Sequence, residues 1–243
     1  MLDSTTAFVL EDYEGLPGNR GLPLFGQDQI DAAVTLADRL GFQVAVHSIG
    51  DAGVRRTLDA FAAARRANGP RDSRHRVEHI ELIHPADILR FKELGAVASM
   101  QPLHAPGPVS YPGHEMMALL GEHRERFTFP WRTLREAGAR LCFASDWPVS
   151  PVDPLLSIQA ALVRKPFRPG QPEQAQTLGQ TLASYTRDNA WVEFAEDRKG
   201  MLREGYLADL VVLDGDIEAT PKEAIRELRV SATVCDGRVT YER

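Results

Sequence analysis

Apolar positions recur in two alternating periods over the first part of the chain. Ile30, Ala33, Val34 and Ala37 fall at i, i+3, i+4 and i+7, one face of a helix ending near Gly41. Residues 42–47 follow as a short apolar strand, stopped by Ile49-Gly50-Asp51. Val54, Leu58, Phe61 and Ala62 carry a second amphipathic helix to Asn68-Gly69-Pro70. Residues 76–80 are the next strand. Pro85 then opens a helix where its missing N–H costs little, with Ile88, Phe91 and Leu94 on the apolar side. Residues 96–100 are strand-like, 131–137 helical with Gly138 as the stop, and 140–145 a fourth strand. Short, largely apolar strands separated by helices predict βα units and a parallel sheet covered on both faces, an α/β fold.

Residues 104–130 interrupt this alternation. They are rich in Pro and Gly, hold one short helix at Met116-Met117-Ala118-Leu119-Leu120, and exceed an ordinary connection, which marks a lid or binding loop. The tail changes character. Residues 178–194 read as one helical stretch, 207–215 as a strand and turn, and 229–241 as a hairpin around Asp236-Gly237. A strand and a hairpin are too little to fold alone, so they are expected to pair with other strands.

The 243 residues are 43% hydrophobic, enough for one large domain or two small ones. A net charge of −6 with scattered basic residues excludes a nucleic-acid partner held by phosphate contacts and a polybasic membrane anchor. Cys142 and Cys235 lie far apart and outside any C-x-x-C pattern, which points to a reducing compartment, with Cys142 a buried inert thiol. The first residues lack the basic and apolar regions of a signal peptide, and no stretch approaches the roughly 20 apolar residues of a membrane span. The expectation is a soluble, cytoplasmic protein.

In parallel α/β folds functional groups collect at the C-terminal ends of the strands. Here those ends carry His47, His79, Gln101 and Asp146. Two imidazoles and a carboxylate form a ligand set for a divalent ion, zinc first. Taken singly, each has a bland reading. A strand-end histidine is commonly a hydrogen-bonded structural residue, and Asp146 before Trp147-Pro148 suits a turn equally well. Their arrival together raises the joint odds. His75 and His84 are expected at the surface, and His114 and His123 in the exposed loop. His104 closely follows Gln101-Pro102 and is placed to touch a substrate.

The motifs Val46-His47-Ser48-Ile49-Gly50-Asp51, Val77-Glu78-His79, Gln101-Pro102-Leu103-His104 and Ala144-Ser145-Asp146-Trp147-Pro148-Val149 stand in one order and spacing. Together with Gly205-Tyr206-Leu207-Ala208-Asp209-Leu210 in the tail, they resemble the amidohydrolase superfamily, most closely its YtcJ-like branch, which includes N-substituted formamide deformylases. The resemblance implies a (β/α)8 TIM barrel, of which residues 1–200 are the C-terminal half (about strands five to eight). Residues 201–243 are then the C-terminal strands of a small composite β-sandwich.

It further implies His47 and His79 as metal ligands from strands five and six. Asp146 is the strand-eight aspartate that binds metal and takes a proton from the attacking water. Gln101 and His104 are implied as substrate contacts. Asp51 either orients His47 or caps the following helix. The implied reaction is hydrolysis of a non-peptide amide or formamide C–N bond in a small molecule, with a divalent metal, most simply zinc.

One departure matters: no H-x-H pair occurs in the chain, and its opening residues look like those after strand four. The expectation is therefore a fragment. It is completed by an N-terminal half, in a longer product or a separate polypeptide, or it closes its sheet edges as a homo-oligomer. Two rival readings are a catalytically incompetent half-barrel that binds a partner, and a metal site that cleaves esters or phosphoesters.

Overall fold

In the computed structural model, which describes residues 1–110 and 114–243 and the side chains of all of these except 114 and 115, the chain forms two compact units. The first comprises residues 1–100, 112–141 and 165–174; the second comprises 101–111, 142–164 and 175–243.

The first unit alternates helix and strand as the apolar periods predict. Helix α1 (Gln27–Arg39) leads to β1 (Ala45–Ser48), α2 (Asp51–Asn68) to β2 (Arg76–His79), and α3 (Arg90–Leu94) to β3 (Val97–Met100). Helices α4 (His114–Leu120), α5 (Glu122–Glu125) and α6 (Trp131–Glu136) precede β4 (Arg140–Phe143), which begins in this unit and runs into the second. The sheet order is β1-β2-β3-β4, as successive βα units dictate. Strands β1 and β2 pair parallel with Val46 beside Val77 and Ser48 beside His79, and β2 and β3 with Val77 beside Ala98. Val77, Val97, Ala98 and Met100 are fully buried, as are Leu58 on α2 and Phe91 on α3. The α/β reading therefore holds for the sheet and its helices.

Three local expectations are corrected. Strand β1 begins at Ala45, not at residue 42: Phe42 is 63% exposed, and the Gln43 side chain donates to the Arg74 carbonyl. The helix at Pro85 is a single 3₁₀ turn (Pro85–Asp87), and α3 forms only afterwards, ending at Gly95 with φ +67°. The 104–130 connection carries two helices instead of one. Leu120 is fully buried, and the buried Arg124 guanidinium donates to the carbonyls of Leu120, Glu11 and Asp12, so this stretch is structural as well as connective. Residues 111–113 of that loop lie outside the described residues.

The second unit is built on α7 (Pro154–Val163), α8 (Leu178–Tyr185), α9 (Arg187–Val192) and the antiparallel strands β5 (Leu210–Leu213), β6 (Val230–Cys235) and β7 (Arg238–Glu242). Sequence periodicity missed α7 because it is apolar almost all round, so no amphipathic stripe marks it. Its start is nonetheless written in Asp153-Pro154: the Asp153 carboxylate accepts the Leu155 N–H at 2.9 Å, and Pro154 occupies the first turn. Leu155, Ile158, Leu162, Val163 and Ile225 form this unit's core, with Leu178, Leu182, Leu213 and Leu228 packed on it. The 178–194 helix is split at Thr186 (φ −124°, ψ −89°), whose hydroxyl donates to the Leu182 carbonyl. The hairpin turns where expected, with Asp236 and Gly237 at φ +49° and +73°.

Cys142 is buried, as expected, and Cys235 is exposed. Among the described residues no helix is long and apolar enough to cross a membrane.

Candidate metal centre

In the first unit, β1 and β2 end side by side and bring two predicted ligands into contact. The His47 and His79 ring centroids lie 4.4 Å apart at an interplanar angle of 67°. His47 is exposed and His79 buried. At the end of β2 the backbone turns sharply: His79 has φ +79° and Ile80 φ +52°. Left-handed backbone in a β-branched residue is strained, and such strain collects at functional sites. Two bonds hold it, from Ile80 N–H to the Ser48 carbonyl (3.0 Å) and from Leu82 N–H to the Ile49 carbonyl (2.9 Å).

This turn brings to His79 a residue that the strand-end pattern does not mark. Glu81 is 4% exposed, and a carboxylate oxygen of it lies within 4.8 Å of a His79 ring nitrogen. Its signal was present in the run Glu78-His79-Ile80-Glu81, where a second acid follows the strand-end histidine.

In the second unit, Asp146 follows β4 with φ +60°, and its carboxylate lies 3.6 Å from His104 Nε2. The turn after it is closed by the Val149 N–H on the Asp146 carbonyl at 2.8 Å, with the Trp147-Pro148 bond cis. Asn189 anchors the strand end by donating to the Phe143 carbonyl. Gln101 is buried at the start of the 3₁₀ turn Pro102–His104, and its amide oxygen has no hydrogen-bond partner among the described residues. The structure thus joins His47 to His79 within one unit and His104 to Asp146 within the other.

Asp51 does not touch His47 through any bond seen here. Its Oδ1 accepts the N–H groups of Leu10 (2.9 Å) and Ala52 (3.0 Å), tying the N-terminal segment to the first turn of α2. Burial pushes its carboxyl above the usual aspartate range, more strongly than those two hydrogen bonds pull it down.

The expectation of a surface His75 is corrected: it is 5% exposed. Its Nδ1 accepts the Val44 N–H and its Nε2 faces Asp38 at 3.1 Å, so both ring nitrogens are satisfied inside the fold. His84 is half-buried and accepts the Ala86 N–H as the cap of its turn. His123 is exposed, as expected, and pairs with Glu11 at 2.8 Å. The side chain of His114 lies outside the described residues. A cavity of about 400 Å³ borders His75, Asp38, Arg65 and Lys92 at the start of β2 and β3, away from the strand ends that carry His47 and His79.

Two imidazoles in contact, with a carboxylate beside one of them, fit a borderline divalent ion that prefers nitrogen and oxygen donors. Histidines gathered at the ends of parallel strands stand where α/β folds collect their functional groups. The sequence pattern of the amidohydrolase family matches residues 1–241, and the chain belongs to that family, in its YtcJ-like branch.

YtcJ of Bacillus subtilis is 29% identical over an alignment covering 100% of this chain and 45% of that protein. The N-substituted formamide deformylase of Arthrobacter pascens is 28% identical, covering 95% of this chain and 42% of the deformylase. The crystal structure of a metal-dependent hydrolase from Pyrococcus furiosus superposes with a TM-score of 0.72 at 32% identity, over 85% of this chain and 40% of that one. The chain spans less than half the length of these relatives.

Proposed function

We propose that this chain is the C-terminal half of a metal-dependent amidohydrolase, with His47, His79 and Asp146 as ligands to one divalent ion, zinc first. The observation that carries the reading is the 4.4 Å contact between the His47 and His79 rings at the ends of neighbouring parallel strands. On this reading residues 1–200 belong to the barrel and 201–243 to a sandwich that further strands complete, in a cytoplasmic protein.

When bound, the ion would act as a Lewis acid, polarising the scissile carbonyl and acidifying water. The chain's own residues supply the rest. Neutral His47 and His79 present ring nitrogens. Asp146 takes a proton from the attacking water and delivers it to the leaving nitrogen. His104, 3.6 Å from that carboxylate, contacts the substrate beside the transfer. The Gln101 amide oxygen accepts an N–H from the substrate. Glu81 steadies the His79 ring or joins the ligands. The bond cleaved is the C–N bond of a small non-peptide amide. Formamides are the favoured type, because one relative is by name an N-substituted formamide deformylase.

Elemental analysis of the purified chain tests the site. Near-stoichiometric zinc that falls away in His47→Ala and His79→Ala is the expected result, and zinc retained in both variants would remove the assignment. A panel of N-substituted formamides against matched esters, run on the chain with whatever completes it, tests the bond. Faster turnover of the esters would reject the amide reading.

A further inference from the structure

The turn that follows β2 is bonded from two sides, and the bonds fix Glu81 beside His79. On one side the Ile80 and Leu82 N–H groups reach the carbonyls of Ser48 and Ile49, at the end of β1. On the other, the Glu81 carbonyl accepts the Phe129 N–H at 2.9 Å, and the Ile83 N–H reaches the Phe127 carbonyl at 3.2 Å. Leu82 and Thr128 pair there as an antiparallel bridge. Residues 80–83 thus run between the end of β1 and the end of the 104–130 connection. Ile80, Leu82, Ile83, Thr128 and Phe129 are all buried. The Glu81 backbone cannot shift without breaking bonds on both flanks, so its carboxylate is held in place before any ligand arrives.

A carboxylate kept there has a specific use. A histidine that ligates a metal through one ring nitrogen donates the N–H of the other to a carboxylate, a carbonyl or water. That bond fixes the ring's tautomer and rotation. His79 is 7% exposed, so water is poorly placed to serve. A Glu81 carboxylate oxygen lies within 4.8 Å of a His79 ring nitrogen. Direct ligation by Glu81 suits the site less well. Catalytic zinc sites keep three protein ligands and an open position for water. His47, His79 and Asp146 already make three, and a fourth would fill that position.

We infer that Glu81 is a positioning residue: its carboxylate accepts the His79 ring N–H and so fixes which nitrogen faces the ion. The bond also makes that nitrogen a stronger donor. This inference rests on the proposed function, and it gives the end of the 104–130 connection a task, holding Glu81 in place.

The state of the His79 ring and the zinc affinity test it together. Long-range proton–nitrogen correlation spectra of the metal-free chain at pH 8, where an ordinary imidazole is neutral, read which ring nitrogen carries the hydrogen. The His79 signals are identified by their loss in His79→Gln. One tautomer is expected in the wild type and in Glu81→Gln, whose amide oxygen still accepts the N–H. A mixture is expected in Glu81→Ala, with zinc affinity about 10–100-fold lower by competition with a chromophoric chelator. Glu81→Met fills the same space without an acceptor and carries the test if the alanine variant misfolds. The visible spectrum of the cobalt(II)-loaded chain should be the same in Glu81→Gln as in the wild type, since the ligands are unchanged. Wild-type zinc affinity in Glu81→Ala and Glu81→Met, or a cobalt spectrum altered by Glu81→Gln, overturns the inference. Zinc absent from the wild-type chain would reject the proposed function and this inference with it. Zinc bound with a mixed His79 tautomer would reject this inference alone.

Discussion

The His47 and His79 rings meet edge to face, 4.4 Å between centroids, although they lie on different strands and differ in burial. That contrast makes one clean prediction. His47 is exposed, so His47→Ala should change the stability of the metal-free chain by no more than about 0.5 kcal/mol. With zinc at 100 times its dissociation constant, the wild-type chain should gain about 2.7 kcal/mol. The variant should gain little at that zinc concentration. Thermal melts with and without zinc, after treatment with a chelator, decide it. An equal zinc-induced shift in both proteins would show that His47 is not a ligand.

Much of the sheet was legible because its strands are short and apolar and its helices amphipathic, so periods of 3.6 and 2 alternate cleanly. The Asp236-Gly237 hairpin was legible because both turn residues need positive φ and this pair tolerates it. Helix α7 was not, because burial on nearly all sides erases the stripe that periodicity detects. The burial of His75 was hidden for a different reason: only the fold brings Asp38 and the Val44 N–H to its two nitrogens, 37 and 31 residues away in sequence. Strand-end positions pointed to His47, His79, Gln101 and Asp146, yet Glu81 lies two residues past its strand end, and the turn that buries it beside His79 is set by bonds to the distant Ser48 and Ile49 carbonyls.

Asp51 separates a structural role from an orienting one. Its Oδ1 holds the Leu10 and Ala52 N–H groups, and burial raises its pKa, so the ionised form is held at a cost. A raised folded-state pKa removes stability as pH rises through the window above the usual aspartate value. Asp51→Asn keeps an oxygen acceptor without the charge and should hold or raise the melting temperature at pH 8. Asp51→Ala leaves buried N–H groups unmet and should cost about 1–3 kcal/mol. If Asn proves as damaging as Ala at pH 8, the charge itself is needed and this account fails.

The second unit depends on α7. Ile158 is 5% exposed within its core. Ile158→Ala should therefore lose about 2–5 kcal/mol, the transfer free energy of the deleted atoms plus a cavity. Asp153→Ala, which removes the cap on the Leu155 N–H, should lose about 1 kcal/mol. Urea titration of both variants checks the order, and a loss below 1 kcal/mol at Ile158 would mean this core is not close-packed.

His75 sets a pH dependence whose sign follows from its bonds. Because Nδ1 accepts the Val44 N–H, the ring hydrogen sits on Nε2 and points to Asp38, which also accepts from Asn68 and Arg71. A second proton could enter only by breaking the Val44 bond. Burial lowers the His75 pKa from its ordinary value near 6.5 and outweighs the opposite pull of Asp38. Below pH 6.5 the unfolded chain therefore binds a proton that the folded chain refuses. Stability from this group is complete above that value and is lost as pH falls toward the folded pKa, by at most about 1.4 kcal/mol per pH unit. Asp38 adds nothing in that interval, because its own depressed pKa moves its loss below the usual aspartate range. In His75→Gln the amide does not titrate, so the difference in stability between wild type and variant should shrink from pH 7 to pH 5. Urea unfolding of metal-free protein at these two values measures it. A difference that stays constant or widens would mean His75 is protonated in the fold and that its hydrogen bonds run the other way.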